Sequence, residues 1–238
     1  LENLALIPGT VGAAPIQNIG AYGIEVRKFI QFVETFDLKT GTKKVLDKSE
    51  CKFGYRNSIC KHELKDRAVI TKVGFKVPKK WDAVTSYAGL NGLSTAKDIF
   101  EQVVKIRKQK LPDPDYKGNA GSFFKNPIIP NDKLDELVKI YPNMPIYKVN
   151  DSHSKVAAGW LIDQCGLKGQ GNDNVKVHAK QALVLINYTN NAKGQDVLNA
   201  AKMIMESVSE KFGIELEPEV RFFGKNGETW PLGLSKNA

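Results

Sequence analysis

The sequence is poor in the residues that build metal sites and disulfide frameworks. Among its 238 residues are three cysteines, Cys51, Cys60 and Cys165, and three scattered histidines, and no two cysteines have CxxC spacing. An odd number of separated cysteines predicts neither a disulfide framework nor a zinc site, and it is typical of a reducing cytoplasm. We therefore expect no bound metal and a cytoplasmic location.

Long apolar runs are also missing. No segment approaches the roughly 18 consecutive apolar residues of a membrane span. The first residues, Leu-Glu-Asn, lack the basic and apolar regions of a signal peptide. We expect no membrane association. Because the chain begins with Leu1 and not Met, we also expect it to begin inside a longer protein.

Positive charge is plentiful but not concentrated. The net charge is +9, yet Lys and Arg are spread along the chain without a basic run or a recognised nucleic-acid-binding module. Nucleic-acid binding therefore rests on charge alone, and a small anionic substrate suits a basic protein equally well. With 42% hydrophobic residues, the chain is long enough for one large or two modest globular domains.

Residues 4–23 are rich in glycine and proline, which excludes a helix or a long strand there. The spacing of Gly9, Gly12, Gly20 and Gly23 matches neither the P-loop nor the GxGxxG fingerprint. Small residues let backbone amides approach a ligand closely, so the segment is either a phosphate or cofactor wall or a compact connector.

The first hundred residues read as strands. Alternation predicts a strand over 25–38, a turn at 40–42, a returning strand over 43–46, and another strand over 68–77 that ends at Pro78. Arg56 lies among aromatic residues and a glycine in residues 53–58, which favours a partly buried anion clamp over a surface cation.

Helices become frequent further along the chain. Periodicity and capping residues predict helices over 94–110, 134–141, 155–165 and 195–212, together with strands over 181–187 and 216–224. Pro112 and Pro114 end the first helix, and we place a domain boundary there. The fold class predicted is α+β.

Residues 118–127, GNAGSFFKNP, combine permissive glycines with a hydroxyl, two aromatic rings, a cation and an amide. Gly118 and Gly121 predict a tight turn that carries Ser122. The hydroxyl there is a candidate proton or hydrogen-bond donor. A plain turn into a short aromatic strand fits the same residues.

Taken in order, seven stretches resemble the UDP-N-acetylenolpyruvoylglucosamine reductase family, in its longer form. They are IPGTVGAAPIQNIGAYGIE, CKFGYRNSICK, KLPDP, GNAGSFFKNP, AAGWLIDQCGLKG, QALVLIN and LEPEVRFFG. The resemblance implies an FAD-binding module of the vanillyl-alcohol-oxidase type followed by an α/β domain for the UDP-sugar. The implied division is a second FAD-binding subdomain (1–97), a connecting helix and linker (98–111), a substrate-binding domain (112–213), and a C-terminal strand and tail that return to the FAD module (214–238).

The resemblance also implies an activity. Family members are cytoplasmic bacterial oxidoreductases of peptidoglycan synthesis, and thus of cell-wall biogenesis, cell shape and division. They use NADPH and tightly bound, non-covalent FAD to reduce UDP-N-acetylglucosamine enolpyruvate to UDP-N-acetylmuramate. The implied proton donor is Ser122, and Arg56 and Glu219 match the residues that stabilise the enol intermediate. We expect a monomer that binds neither nucleic acid nor membrane.

Two further sets of residues match the family's binding positions. Those for the UDP-sugar are Tyr87, Lys110, Asn126, Tyr147, Lys155 and Gln181. Those for the flavin are Ile16, Gly20, Ala21, Tyr22, Ile70 and Arg221.

The chain departs from the family pattern at its start. Family members carry a further N-terminal FAD-binding lobe ahead of the point that matches Leu1. The resemblance therefore leaves an alternative, in which this polypeptide is an inactive nucleotide-sugar-binding fragment that cannot retain FAD.

Overall fold

The computed structural model of the chain describes residues 1–87 and 89–230 and shows a mixed α/β protein, which agrees with the predicted mixture of helices and strands. The chain divides into two compact units, residues 1–107 and the residues from Lys108 onward. Within the described residues, no helix is long and apolar enough to cross a lipid bilayer.

Antiparallel strands make up most of the first unit. Strands β1 (Gly20–Ala21) and β2 (Ile24–Glu25) form a short ribbon. A sheet follows with the order β4-β3-β5, formed by Ile30–Asp37 (β3), Lys43–Asp47 (β4) and Ala68–Phe75 (β5). The predicted hairpin and the strand before Pro78 are confirmed, although residues 26–28 form a 3-10 turn and do not continue the first strand.

The inner face of this sheet packs against the glycine-rich segment. Val33 and Leu46 lie opposite each other on β3 and β4, and both are buried in one cluster with Ala14 of that segment. On β5, Gly74 lies opposite Phe32, and a Cβ at Gly74 would be only 2.1 Å from the Phe32 ring. The ring therefore occupies the space that a side chain on β5 would fill.

Helix α1 spans Ala96–Lys110 and begins as the sequence predicted. The Thr95 hydroxyl oxygen accepts a hydrogen bond from the Asp98 backbone N–H at 3.1 Å, which satisfies one of the donors that a helix start leaves open. Ile99, Val103 and Ile106 are buried along one face of the helix.

The second unit contains two antiparallel three-stranded sheets. One has the order β10-β11-β6 and the other β7-β9-β8. Their strands are Asn119–Ser122 (β6), Ile128–Pro130 (β7), Ile146–Lys148 (β8), His153–Val156 (β9), Val175–Val177 (β10) and Val184–Asn187 (β11).

Three helices cover these sheets, namely α2 (Asn131–Ile140), α3 (Ala158–Gln164) and α4 (Gly194–Phe212). Buried residues of all three helices belong to one apolar cluster that also contains Val156, Val175 and Leu185. The predicted helix over 155–165 is too long, because residues 155 and 156 pair with β8 and lie in β9.

The last described elements form a short hairpin of β12 (Phe222–Gly224) and β13 (Gly227–Thr229). The predicted strand over 216–224 is wrong for residues 216–221, where Pro218 makes only an isolated bridge to Phe124. Within residues 216–221, backbone hydrogen bonds to residues 123–125 involve only Glu217 and Glu219, so the pairing is too short to form a regular strand. The last eight residues of the predicted tail, 231–238, lie outside the described residues.

Gly213 ends α4 with a left-handed φ of +60°. We expect Gly213→Ala to lower the free energy of unfolding by about 1 kcal/mol, because a Cβ is disfavoured in that conformation. Gly194→Ala is the matched control, since Gly194 begins the same helix with open space around its Cβ position. Urea unfolding followed by circular dichroism measures both, and equal midpoints would contradict the assignment.

Candidate active site

Two buried asparagines shape the glycine-rich segment of the first unit. Asn18 is fully buried, and its Nδ2 donates to the Gly54 carbonyl at 2.8 Å while its Oδ1 accepts from the Arg27 N–H at 3.0 Å. Asn3 is also fully buried, and its Nδ2 donates to the carbonyls of Tyr22 and Val84, each at 2.9 Å. These bonds tie the segment to two distant stretches of the first unit.

Arg56 lies directly against Gly20. Its Nη2 donates to the Gly20 carbonyl at 2.8 Å. A Cβ at Gly20 would come within 3.1 Å of Arg56 Nη1 and 2.9 Å of the Ile24 carbonyl oxygen, so only glycine fits without displacement. Arg56 itself has a left-handed φ of +51°, which is uncommon for a residue with a side chain. The structure thus brings a predicted catalytic residue and a predicted flavin residue into contact.

Tyr22 and Tyr87 form a second pair of predicted site residues. Their ring centroids are 4.9 Å apart in an edge-to-face arrangement. Burial raises the pKa of the Tyr22 phenol, and the charge and hydrogen bond of Arg107 partly offset that rise. The neighbouring Ala21 is half-buried in β1.

Two buried polar atoms near Tyr22 lack partners among residues 1–87 and 89–230. They are Oδ1 of Asn3, whose amide nitrogen bonds the Tyr22 carbonyl, and Nε of Arg107. Buried polar atoms nearly always have a partner, so one acceptor and one donor left open here fit a ligand or water with polar edges.

Ile16 and Ile70 add apolar surface to the first unit. Ile16 has 38% of its surface exposed, and its carbonyl accepts a hydrogen bond from the Ser58 hydroxyl at 2.6 Å. Ile70 is half-buried on β5, and its carbonyl oxygen is 3.9 Å from where a Cβ on Gly12 would lie. Partly exposed apolar groups of this kind suit a planar ligand.

In the second unit, Ser122 is the last residue of β6 and does not lie on the tight turn that the glycines predicted. It lies opposite Val184 of β11, and a register shift follows between Val184 and Ile186. Gly121, with a φ of +72°, takes part in the strand because glycine tolerates that conformation. The Ser122 side chain is exposed, and no described residue hydrogen-bonds its hydroxyl.

Glu219 is held beside the segment that follows Ser122. The Glu219 N–H donates to the Phe123 carbonyl at 2.7 Å, and the Lys125 N–H donates to the Glu217 carbonyl at 2.9 Å. The Phe123 N–H in turn donates to the Leu183 carbonyl at 2.7 Å. Residues 123–125 therefore lie between Leu183, the residue before β11, on one side and residues 217–219 on the other.

Asn126 and Gln181 both contact the start of α3. The N-cap residue, Ala157, has no side-chain acceptor, and Asn126 Oδ1 accepts from the Ala158 N–H at 2.9 Å instead. Gln181 Oε1 lies 3.3 Å from the position of a Cβ on Gly159, so glycine is what lets this amide approach the helix.

Tyr147 and Lys155 lie opposite each other on β8 and β9, and the Lys155 ammonium is 5.9 Å from the centre of the Tyr147 ring. Such a cation-aromatic pair on a half-exposed surface is suited to an anionic group. The two remaining predicted residues lie elsewhere: Lys110 is the exposed end of α1, and Arg221 bonds Glu228 at 2.8 Å just before β12.

Several residues that shape these sites gave no signal in the sequence. Asn3, Asn18 and Arg107 act through bonds to distant backbone groups, which local spacing does not reveal. Burial raises the pKa of Cys51 to about 11, and it also raises the pKa of Cys60. These two thiols flank the Arg56 segment and are protonated near neutral pH. Among the described residues, no group of His, Cys, Asp and Glu could hold a metal ion.

Comparison with known proteins identifies the family. The model of the C-terminal domain of UDP-N-acetylenolpyruvoylglucosamine reductase matches residues 113–223. The reductase of Photobacterium profundum is 52% identical over 233 residues, which cover 96% of this chain and 67% of that protein. The chain belongs to the UDP-N-acetylenolpyruvoylglucosamine reductase family.

Other members of the reductase family agree. The Escherichia coli O157:H7 reductase is 50% identical over 232 residues, covering 96% of this chain and 68% of that protein. The crystal structure of the Thermus caldophilus reductase matches with a TM-score of 0.60 at 25% identity, covering 97% of this chain and 64% of that one. The chain thus spans about two thirds of the length of these reductases.

We expect Asn126→Ala to lower the free energy of unfolding by about 1 kcal/mol, the usual cost of losing a helix cap. Asn126→Asp keeps the acceptor for the Ala158 N–H, so it should retain most of that stability. Urea titration of both variants measures the difference. Equal losses in the two variants would show that the bond to Ala158 is not what stabilises the helix start.

Proposed function

We propose that this chain acts in the NADPH-dependent, FAD-mediated reduction of UDP-N-acetylglucosamine enolpyruvate to UDP-N-acetylmuramate, a step of peptidoglycan synthesis in the bacterial cytoplasm. The supporting observation is 52% identity along 96% of the chain to a reductase named for this substrate. The residue set described above supplies the chemistry that such a reaction needs.

The first unit offers groups that fit FAD. An exposed isoleucine, a glycine at which a Cβ would clash and two orphaned buried polar atoms suit a planar ring system with polar edges. FAD, when bound, passes a hydride from NADPH to the substrate double bond. We propose that it is held by Ile16, Gly20, Ala21, Tyr22, Ile70 and Arg221, and that residues 1–97 form an FAD-binding subdomain.

The second unit is proposed to hold the UDP-sugar. Lys155 provides a cation for the diphosphate, and the phenol of Tyr147 packs beside it. The side-chain amides of Asn126 and Gln181 supply donors near the start of α3. We propose that Tyr87 and Lys110 complete the substrate contacts, and that residues 112–213 are the substrate domain joined to the first by residues 98–111.

The reaction makes two demands on the side chains. Reduction at the terminal carbon of the enolpyruvyl group leaves negative charge delocalised into the carboxylate, which a fixed cation stabilises. Arg56 takes this role in our proposal, because a guanidinium is a cation that can donate two parallel hydrogen bonds to a carboxylate. Glu219 shares in stabilising the enol, and the Ser122 hydroxyl gives its proton to the adjacent carbon. The exposure of that hydroxyl leaves it accessible to a substrate.

The direct test adds FAD to the purified 238-residue chain, removes unbound flavin and records the visible spectrum. We expect a bound-flavin spectrum that bleaches with NADPH and returns on addition of UDP-N-acetylglucosamine enolpyruvate in the absence of oxygen. Failure to retain flavin would count against reductase activity of this chain. Calorimetric binding of the same UDP-sugar to the colourless protein would then support the alternative, a nucleotide-sugar-binding fragment.

Ser122→Ala separates the two half-reactions. We expect reoxidation of the reduced flavin by the enolpyruvyl substrate to slow by about 100-fold or more, because the proton donor is lost. Reduction of the flavin by NADPH should stay unchanged. Ser209→Ala, at an exposed serine of α4, is the matched control. Stopped-flow absorbance measures both steps, and normal reoxidation in Ser122→Ala would refute the assignment of the acid.

A further inference from the structure

Residues 217–219 pair with residues 123–125 over a very short stretch of backbone. The pairing is nevertheless long enough to define a register. Two backbone hydrogen bonds join them, from Glu219 N–H to Phe123 and from Lys125 N–H to Glu217. Pro218 lies between these bonds, opposite Phe124, at the position where an antiparallel pair needs no donor. A slip by one residue would place Pro218 where a donor is required, so the pairing disfavours that slip.

An ion pair reinforces this attachment. Lys125 Nζ contacts Glu217 Oε1 in a charge-assisted hydrogen bond directly across the pairing. The Lys125 side chain is only 18% exposed and that of Glu217 is 44% exposed, so the cation is the more shielded partner. Removing the Glu217 carboxylate would leave the largely buried Lys125 cation without its counter-ion, which is more disruptive than losing one partner of a fully exposed ion pair.

Buried residues alternate with glutamates along residues 214–219. Ile214, Leu216 and Pro218 are buried, whereas the glutamates alternate with them at positions 215, 217 and 219. Side chains two residues apart in an extended segment face the same way, so the three carboxylates share one face. The sequence does not distinguish the roles of these three glutamates. The contact with Lys125 indicates that the middle one, Glu217, has a structural role.

Resting on the proposed function, we propose that Lys125 and Glu217 are positioning residues that hold Glu219 in register opposite Phe123, one residue along from Ser122. Neither side chain needs to touch the substrate. The pair acts by fixing where the backbone carrying Glu219 runs, and therefore where its carboxylate can meet the developing enol.

The test compares Lys125→Met, Lys125→Arg and Glu217→Gln in the full 238-residue chain. Hydrogen exchange at the Glu219 amide reads the register without any need for activity. We expect at least tenfold faster exchange in Lys125→Met and Glu217→Gln, and near-normal exchange in Lys125→Arg, which keeps the cation. The Val156 amide, bonded to Pro127 in the other sheet, is the internal reference and should not change.

The flavin-bound protein supplies the second readout. We expect reoxidation by the enolpyruvyl substrate to slow at least tenfold in Lys125→Met and Glu217→Gln, with reduction by NADPH unchanged. The double variant should be no slower than either single one, because the two residues act as a unit. Lys168→Met, which breaks the Lys168–Asp163 pair at 2.6 Å, is the control and should match the parent chain in both readouts.

The outcomes are distinguishable. Normal exchange at the Glu219 amide in Lys125→Met would overturn the positioning role whatever the activity. Faster exchange with normal reoxidation would show that the register does not serve the chemistry, which also overturns it. If the parent chain itself fails to reduce the substrate, the proposed function fails while the exchange experiment still decides whether the pair sets the register.

Discussion

The second unit depends on the backbone of one residue, Phe123, which is hydrogen-bonded on both sides. Its N–H donates to Leu183, the residue before β11, and its carbonyl accepts from Glu219, so it joins these two stretches of the unit. The ring of Phe123 is buried and lies 6.2 Å from that of Phe222. Ser122 therefore sits next to a rigid point, although its own side chain is exposed. Rigid backbone under an exposed functional group is the arrangement that precise positioning requires.

The first unit reaches a similar result by different means. Its glycine-rich segment has little regular structure. Hydrogen bonds from buried asparagine side chains fix its backbone, as hydrogen bonds between strands do in the sheets. Asn18 combines a left-handed φ of +47° with bonds to Gly54 and Arg27, a conformation that asparagine tolerates better than most residues. Arg56 and Tyr22 share that backbone region. Three non-glycine residues with positive φ thus lie among or beside the residues proposed to bind flavin and stabilise the enol.

The sequence predicted the elements that local patterns encode. The cap of α1 by Thr95, the left-handed Gly213 after α4, and the hairpin of β3 and β4 each follow from residues close together in the chain. The secondary-structure predictions were wrong where contacts with residues far away in the sequence determine the local structure. Lys155 joins a strand because β7 and β8 flank it, and Ser122 extends β6 because β11 lies alongside. The roles of the site residues were inferred from the family resemblance. The unpaired Asn3 Oδ1 and the Lys125–Glu217 contact could not be predicted, because neither produces a local sequence pattern.

The pairing of residues 123–125 with 217–219 has a consequence for synthesis of the chain. These partners are more than 90 residues apart, so the edge of the sheet beside Phe123 has no neighbour until residue 219 has left the ribosome. Helix α4 and both sheets can form earlier, because their strands and apolar faces are already present. The segment that closes the edge next to Ser122 thus emerges only after the strands of both sheets. A nascent chain stalled before Glu217 would expose unpaired backbone there, which makes this edge a natural point for chaperone contact or for misassembly between neighbouring chains.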